Sequence, residues 1–361
     1  MERKKNPIVD QIKEESQKNE NEQKQHLLLI PTGSTLLNLA CSDTADGGWG
    51  VGKMVNLIGD SSSGKSLLSF TMFAEVVRRK EFDDYRLIYD DVEQACEFNI
   101  KKLFGKKVAD RVEPPGIEDG EPKHSDVIQD FYGTILQLCK SGKPFIYVLD
   151  SLDALSSKEE VTKVDDIMAA HKEGKQTSGT YGMDKPKILT QMLRRIISDL
   201  KATKSLLLII SQTRDNINPM SFEKKTRSGG NALRFYASHE IWLARAAKHK
   251  SKDRVIGAEV KVKVSKNKLT GKLREVGMSI YYDLGLDNVG SCVDFLIDEG
   301  IWKKSKNTIE VESLGLRGTR ESLIRQIEHA GLEDKLVEET EKAWVDIEES
   351  LKLNRKPRYS E

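Results

Sequence analysis

Residues 59–66 read GDSSSGKS, and this octapeptide lies between a short apolar run and a segment with helical periodicity. The apolar run, residues 54–58, has the length of a buried strand, and residues 66–79 space their apolar side chains with the period of an α-helix. Glycines in such a loop let the backbone bend until its N–H groups point inward at a helix N-terminus, where anions bind. The sequence therefore predicts a phosphate-binding loop and a nucleoside triphosphate ligand.

Each residue type in the loop has a chemical role in phosphate binding. We expect the Lys65 ammonium to contact the β- and γ-phosphates and the Ser66 hydroxyl to ligate Mg²⁺. The predicted nucleotide-binding residues of the loop are Gly59, Asp60, Ser61, Ser62, Ser63, Gly64, Lys65, Ser66 and Leu67. A chance match in a loop rich in glycine and serine is the alternative, and the flanking strand and helix patterns argue against it.

Three more apolar runs, at residues 86–90, 145–149 and 206–210, alternate with helical stretches. Such alternation predicts an α/β fold with a mostly parallel sheet. Asp150 follows the second of these runs, so we expect it to be the carboxylate that binds Mg²⁺ at the carboxyl edge of the sheet.

Two further polar residues at strand ends are candidates for catalysis. Glu93 follows the run at residues 86–90 and is the predicted general base, while its neighbours Asp90 and Asp91 could instead cap a following helix. Gln212 ends another run, where its amide could sense the γ-phosphate or could be an ordinary polar residue at a strand end.

The charge of this 361-residue chain is balanced overall, at net +1, but unevenly distributed. Residues 212–274 contain 16 Lys or Arg and 5 Asp or Glu, whereas residues 307–350 contain 5 and 12. The middle segment is therefore suited to a polyanion and the later one is acidic, although ordinary solvated surface charge is the alternative.

Cysteine usage and hydropathy bear on the compartment. The four cysteines show no paired spacing, which favours reduced thiols over a disulfide framework or a metal site. The sequence shows no signal peptide and no apolar run of membrane length. We therefore expect a soluble, cytoplasmic protein with no membrane partner.

Three domains are predicted: an N-terminal arm for polymerisation at residues 1–30, an ATPase core at 31–285 and a small α/β domain with a basic tail at 286–361. The first 26 residues are polar enough for a solvated helix or a disordered arm. Period-two runs at residues 239–245, 258–265 and 275–282 predict antiparallel strands that extend the sheet. In the last domain, helices are expected near residues 291–299, 319–330 and 333–351. Two polar segments, residues 110–125 and 156–187, have the length of functional or disordered loops.

Several of these motifs together resemble the bacterial RecA recombinases. They are the octapeptide at 59–66, Asp91-Val92-Glu93, Leu149-Asp150-Ser151 and, most specifically, GGNALRFYAS at residues 229–238. The resemblance spans about residues 30–350 and implies a RecA-like core that binds ATP and Mg²⁺. It further implies helical filaments on single-stranded DNA, pairing with homologous duplex DNA, strand exchange, and DNA-stimulated ATP hydrolysis in recombination, repair and DNA-damage sensing.

The resemblance also assigns roles to individual residues. Glu93 matches the catalytic glutamate, Asp150 the Walker B acid and Gln212 the nucleotide-sensing residue. Lys266 and Lys268 match a lysine pair that reaches the γ-phosphate of the neighbouring protomer, and Tyr282 matches a residue near the adenine. The DNA-binding loops would be residues 172–187 and 213–228. The implied DNA-binding residues are Arg214, Lys224, Lys225, Arg227, Gly229, Gly230 and Asn231.

The chain also departs from the family pattern. Asn99 and Ile100 stand where adenine-contacting residues are expected, TYGM occupies residues 180–183 in a lengthened loop, and the basic stretch NRKPR occupies residues 354–358 where an acidic tail is typical. A divergent member encoded by a bacteriophage would show such departures. The alternatives are a recombination mediator without strand exchange, which the presence of Glu93, Lys266 and Lys268 argues against, and a hexameric helicase, which the run at residues 229–238 argues against.

Overall fold

The computed structural model describes residues 27–172, 184–215, 225–227, 230–355 and 358. The strands in these ranges are β1 Leu29–Ile30, β2 Trp49–Gly50, β3 Lys53–Gly59, β4 Arg86–Asp91, β5 Val112–Glu113, β6 Gly116–Glu118, β7 Glu121–Lys123, β8 Phe145–Asp150, β9 Leu206–Asp215, β10 Lys225–Arg227, β11 His239–Ser251, β12 Arg254–Asn267, β13 Arg274–Tyr281, β14 Gly285–Asp287, β15 Lys303–Ser305, β16 Thr308–Val311 and β17 Leu316–Gly318. The helices are α1 Thr35–Ser42, α2 Lys65–Val76, α3 Ile100–Phe104, α4 Lys106–Arg111, α5 Ile128–Lys140, α6 Lys158–Lys172, α7 Asp184–Ala202, α8 Gly230–Tyr236, α9 Asn288–Asp298, α10 Arg320–Ala330 and α11 Glu333–Ser350.

A ten-stranded mixed sheet forms the centre of the molecule. Its parallel part has the order β11-β3-β9-β8-β4-β5, and β12, β13 and β14 continue it as antiparallel strands beside β11. The short strand β10 pairs antiparallel with the end of β9. The predicted fold, a mostly parallel sheet extended by antiparallel strands, is confirmed.

Helices cover both faces of this sheet, so its central strands are apolar on both sides. In β8, Ile146 and Val148 pack into one apolar cluster with residues of α1 and α2. Tyr147 and Leu149 alternate with them and pack into a second cluster with residues of α5 and α7. Burial on both faces explains why the parallel strands appear in the sequence as continuous apolar runs.

The hairpin of β11 and β12 is longer than predicted. β11 pairs with β3 only from His239 to Leu243, and beyond that point it pairs with β12 alone. Residues 244–251 are mostly exposed, so they have no apolar alternation from which a strand could be predicted.

The two long polar segments contain regular structure. Residues 110–125 include β5 at the sheet edge and the hairpin of β6 and β7. The segment at residues 156–187 includes all of α6 and the start of α7, while residues 173–183, with the TYGM stretch, lie outside the described residues. The predicted N-terminal arm, up to residue 26, also lies outside them.

A second, smaller unit follows β14. Helices α9–α11 and the three-stranded sheet β15-β16-β17 enclose an apolar cluster that includes Cys292, Trp302, Ile309, Leu323 and Leu336. A small α/β unit at this end of the chain is therefore confirmed, while the division at residue 286 stays a prediction. None of the helices in the described part of the chain combines the length and apolar character needed to cross a lipid bilayer.

Candidate nucleotide-binding site

The predicted phosphate loop connects β3 to α2, and its two glycines are required by close packing. A Cβ on Gly59 would lie 2.6 Å from the carbonyl oxygen of Leu243 in β11. Gly64 has φ +95°, which side chains rarely adopt, and a Cβ there would lie 2.5 Å from Cδ1 of Ile280. Both glycines of the loop therefore occupy positions that a larger residue would fit poorly.

Lys65 lies inside this loop, with 8% of its surface exposed. Its Nζ donates to the carbonyl oxygens of Gly59, at 3.0 Å, and Asp60, at 2.8 Å. Burial lowers the pKa of Lys65, and the carboxylates of Asp150 and Glu93 act in the opposite direction. The ammonium is thus held at the centre of the loop, where a phosphate would need it.

Ser66 and Asp150 form the pair expected for Mg²⁺. Ser66 Oγ donates to Asp150 Oδ2 at 2.5 Å, and the hydroxyl of Tyr89 donates to the same oxygen at 2.6 Å. Burial raises the pKa of Asp150, and these two hydrogen bonds oppose that effect. A hydroxyl and a carboxylate are the hard oxygen ligands that Mg²⁺ prefers. In the same loop, the buried Ser63 hydroxyl has no hydrogen-bond partner among the described residues. These residues fit a triphosphate with its Mg²⁺.

The predicted base and sensor contact each other directly. Gln212 Nε2 donates to Glu93 Oε1 at 2.8 Å, and the hydroxyl of Ser151 donates to the same oxygen at 2.5 Å. Ser151 follows Asp150 directly. The end of β8 and the turn after it therefore supply both the candidate Mg²⁺ ligand, Asp150, and a hydrogen-bond donor to the candidate base, Glu93. Sequence reasoning did not assign a role to Ser151.

The neighbours of Glu93 have structural roles. Asp90 is fully buried and accepts hydrogen bonds from the Tyr147 hydroxyl, at 2.6 Å, and from the backbone N–H of Ser125, at 3.0 Å. Asp91 accepts from the backbone N–H groups of Ala95 and Cys96. It therefore closes a turn, where the sequence suggested a helix cap.

Asn99 and Ile100, the departures near the expected adenine, lie at the start of α3. The Asn99 side chain accepts from the backbone N–H of Lys102 at 2.8 Å and caps this helix. Ile100 packs against the apolar cluster that contains α2. Tyr282, the other predicted adenine neighbour, is 53% exposed just beyond β13.

Lys266 and Lys268 lie elsewhere on the sheet. Their Nζ atoms donate to the carbonyl oxygen of Phe235 at the end of α8, at 3.2 and 3.3 Å. A pocket of about 530 Å³ opens here, lined by Arg234, Phe235, Ser265, Lys266 and Lys268. In the sheet register, Lys266 is opposite Glu240, and Glu240 is opposite Asn56, in the middle of β3. The phosphate loop leaves the carboxyl end of that strand.

The structure describes part of the predicted DNA-binding region. Arg214, near the end of β9, is exposed and lies 3.9 Å from Asp153. Lys225 and Arg227 belong to β10, and Gly230 and Asn231 begin α8. Lys224 and Gly229 lie outside the described residues. The predicted loop thus starts and ends as an antiparallel pair of strands that continues from Gln212.

The sequence matches the family described as the RecA N-terminal domain over residues 10–287. The chain belongs to the RecA family. It is 30% identical to the protein RecA of Thioalkalivibrio sulfidiphilus over 277 residues, which cover 76% of this chain and 72% of that one. The protein RecA of Methylococcus capsulatus is 30% identical over 278 residues, covering 77% and 72%. That of Acinetobacter baylyi is 27% identical over 299 residues, covering 83% and 78%. This confirms the resemblance to RecA proteins found in the sequence motifs.

Proposed function

We propose that this RecA-family chain is a DNA-dependent ATPase that polymerises on single-stranded DNA, pairs it with homologous duplex DNA and exchanges strands. This activity would serve recombination and repair, with DNA-damage sensing, in the cytoplasm of a bacterium, either as a host protein or during bacteriophage infection. Membership of the family supports the recombinase role. The structural observation that most supports filament formation is the position of Lys266 and Lys268 relative to the phosphate loop.

Lys266 on β12 and Lys268 just after it lie two strands away from β3, and the register sets them back from the phosphate loop of their own chain. The register sets Lys266 level with Asn56, and Lys268 follows the strand beyond that level, away from Gly59. A strand rises about 3.3 Å per residue, so Lys266 lies about 10 Å along the sheet from the level of Gly59, and Lys268 lies further along. Their separation from the loop of their own chain supports a filament with ATP at each junction, in which these lysines reach the triphosphate of a second copy.

In this proposal, the residues of one chain divide between two sites. The phosphate loop with Lys65, Ser66 and Asp150 would hold the triphosphate and Mg²⁺, which supply the cleavable phosphoanhydride and a counter-charge for it. Glu93 would orient and deprotonate water, and Gln212 would sense the γ-phosphate. The remaining proposed contacts are Tyr282 with adenine and Arg214, Lys224, Lys225, Arg227, Gly229, Gly230 and Asn231 with DNA phosphates.

Mixing two inactive variants tests whether the site is shared between copies. Glu93→Gln lacks the base and Lys268→Ala lacks the neighbour's cation, so each alone should show little ATP hydrolysis stimulated by single-stranded DNA. In an equimolar mixture, random neighbours give roughly a quarter of the junctions an intact Glu93 facing an intact Lys268. We therefore expect turnover to return to about that fraction of the unmodified protein's.

The matched control mixes Glu93→Gln with the Glu93→Gln, Lys268→Ala double variant, which leaves every junction without a base and should stay inactive. No recovery in the first mixture would contradict a shared site. An assay of strand exchange between homologous DNA molecules distinguishes a recombinase from a recombination mediator, which would not exchange strands. Electron microscopy on single-stranded DNA separates open filaments from the closed rings of a helicase.

A further inference from the structure

The turn after β8 contains a carboxylate for which the proposed function gives no role. The side chain of Asp153 is 9% exposed, and its Oδ2 accepts a hydrogen bond of 2.7 Å from the backbone N–H of Gln212. Its Oδ1 is buried, has no hydrogen-bond partner among the described residues and lies 3.9 Å from the guanidinium of Arg214. One carboxylate therefore faces both the proposed sensor and a proposed DNA-binding residue.

The same turn is attached to both segments expected to contact DNA. On one side, the backbone N–H of Leu152 donates to the carbonyl of Ile210 in β9 at 3.1 Å. On the other, the ammonium of Lys185, in the first turn of α7, donates to the carbonyl oxygens of Leu152, at 3.1 Å, and Leu155. Burial lowers the pKa of Lys185, and the charge of Asp153 is among those that oppose this effect. Asp153 thus lies between the bases of the two proposed loops.

A continuous set of contacts leads from this carboxylate to the candidate base. Arg214 faces Asp153, Asp153 holds the backbone of Gln212, and the Gln212 side chain donates to Glu93 at 2.8 Å. Hydrogen bonds to an ionised acceptor are stronger than those to a neutral one, and a nearby cation offsets part of the acceptor's charge. Withdrawal of Arg214 would therefore strengthen the hold of Asp153 on Gln212.

We propose that Asp153 is a positioning residue that couples DNA contact to the catalytic base. In the DNA-free protein its carboxylate holds Arg214 back from DNA. A DNA phosphate that binds Arg214 leaves the carboxylate to fix the end of β9, and with it the Gln212 amide at Glu93. This inference rests on the proposed DNA-stimulated ATPase activity.

Asp153→Asn tests the charge, because the amide oxygen can still accept from Gln212 while the attraction for Arg214 is lost. The two charges are 3.9 Å apart and Arg214 is 69% exposed, so the pair is worth little, and the single-stranded DNA concentration for half-maximal binding should fall about threefold. Arg214 would then exchange a solution counterion for a phosphate, so the slope of log affinity against log salt should steepen by about 0.7. The control Asp126→Asn removes an exposed carboxylate and should leave both quantities unchanged.

Asp153→Ala tests the hydrogen bond, because it leaves the Gln212 N–H without its acceptor. The ratio of DNA-stimulated to basal kcat should fall at least about fivefold with KM for ATP unchanged, and Asp153→Asn should retain most of the stimulation. A residue needed only for folding would not lower DNA stimulation in Asp153→Ala with KM for ATP unchanged while most of the stimulation remains in Asp153→Asn. If Asp153→Ala does not fold, the DNA affinity and the salt slope of Asp153→Asn still test the proposal.

A double-mutant cycle with Arg214→Gln completes the test. If Asp153 acts through Arg214, Asp153→Asn should have no further effect on DNA affinity in that background. The proposal would be overturned if Asp153→Asn changed neither the DNA concentration for half-maximal binding nor the slope of log affinity against log salt. It would also be overturned if Asp153→Asn changed both quantities equally in the Arg214→Gln background. If DNA does not stimulate ATP hydrolysis by the unmodified protein, the proposed function and this inference are both rejected. If the unmodified protein is stimulated and the Asp153 variants match it in DNA affinity, salt slope and stimulation, only the role of Asp153 is rejected.

Discussion

Lys65 lies inside the loop that we propose binds phosphate, and its contacts there bear on that role. Its ammonium is almost buried, and inside the loop it donates hydrogen bonds to the carbonyl oxygens of Gly59 and Asp60. Two neutral acceptors compensate a buried cation poorly compared with a phosphate, so an arriving anion would gain a strong charge-assisted hydrogen bond. The resting loop is thus arranged around a charge that the ligand would complete.

Lys65→Ala should therefore weaken ATP binding by about 10- to 100-fold, the range expected for losing a hydrogen bond to a charged group. Equilibrium titration with a fluorescent ATP analogue measures this effect. The matched control is Lys53→Ala, which removes an exposed lysine at the other end of β3 and should leave the affinity unchanged. Equal affinities of Lys65→Ala and the unmodified protein would contradict the assigned role.

His239, at the start of β11, should make the stability of the protein depend on pH. Burial lowers its pKa from the usual 6.5 to about 4, so the folded protein keeps this imidazole neutral where the unfolded chain protonates it. The unfolded state then binds more protons between pH 6.5 and 4, and stability falls as the pH falls through that range. Between pH 7.5 and 5 the loss from this residue should be about 2 kcal/mol.

In His239→Leu the free energy of unfolding should decrease less over the same interval, by about that amount. Urea denaturation at pH 7.5 and at pH 5 measures both values for each protein. Parallel losses in the variant and the unmodified protein would show that other groups cause the acid sensitivity.

At the scale of elements, the sequence predicted what alternation of apolar residues can reveal. The parallel strands are buried on both faces, so β3, β4, β8 and β9 were predicted within a few residues of their observed bounds, apart from the polar extension of β9 to Asp215. Exposed elements gave no such signal. α6, the hairpin of β6 and β7, and the outer half of the β11–β12 hairpin are polar, and local composition does not distinguish them from loops.

The candidate site, like the fold, was predictable only in part. The carboxyl ends of parallel strands meet at one edge of a sheet, so Lys65, Ser66, Asp150, Glu93 and Gln212 could be grouped from strand ends alone, and the structure brings them together. Tyr89, Ser151 and Asp153 were missed. Their contacts depend on the pairing register of β4, β8 and β9 and on the path of one turn, neither of which a single sequence contains.

At the scale of the whole molecule, Arg274 joins the small C-terminal unit to the large sheet. This residue of β13 has a side chain that is 9% exposed and donates to the carbonyl oxygens of Leu39 and Ala40 in α1. Its guanidinium pairs with Asp43 and, at 2.7 Å, with Glu348 of α11. It also lies 5.1 Å from the centre of the Trp344 ring, where a cation is attracted to the aromatic face.

These contacts link the C-terminal unit to the large sheet, and Trp344 of α11 is itself part of an apolar cluster of that sheet. A hydrogen bond from Arg274, and a weaker one from Lys272, lower the pKa of Glu348. Removing a nearly buried cation leaves Asp43 and Glu348 with the more exposed Lys272 as a partner, and this costs more than losing an exposed ion pair. We therefore expect α11 to be held less firmly on the large sheet when Arg274 is removed.

Arg274→Met tests this expectation, since methionine keeps an apolar stem over Trp344 and removes the charge. We expect a loss of about 2 kcal/mol in the free energy of unfolding and faster hydrogen exchange in α11 and α1, because Asp43 and Glu348 lose their least exposed partner. The control Lys272→Met removes a 43% exposed cation that contacts the same two carboxylates and should cost under about 1 kcal/mol. ATP affinity should stay unchanged in both variants, since neither residue contacts the phosphate loop. Equal exchange rates in α11 for the two variants would show that the buried arginine does not hold the C-terminal unit in place.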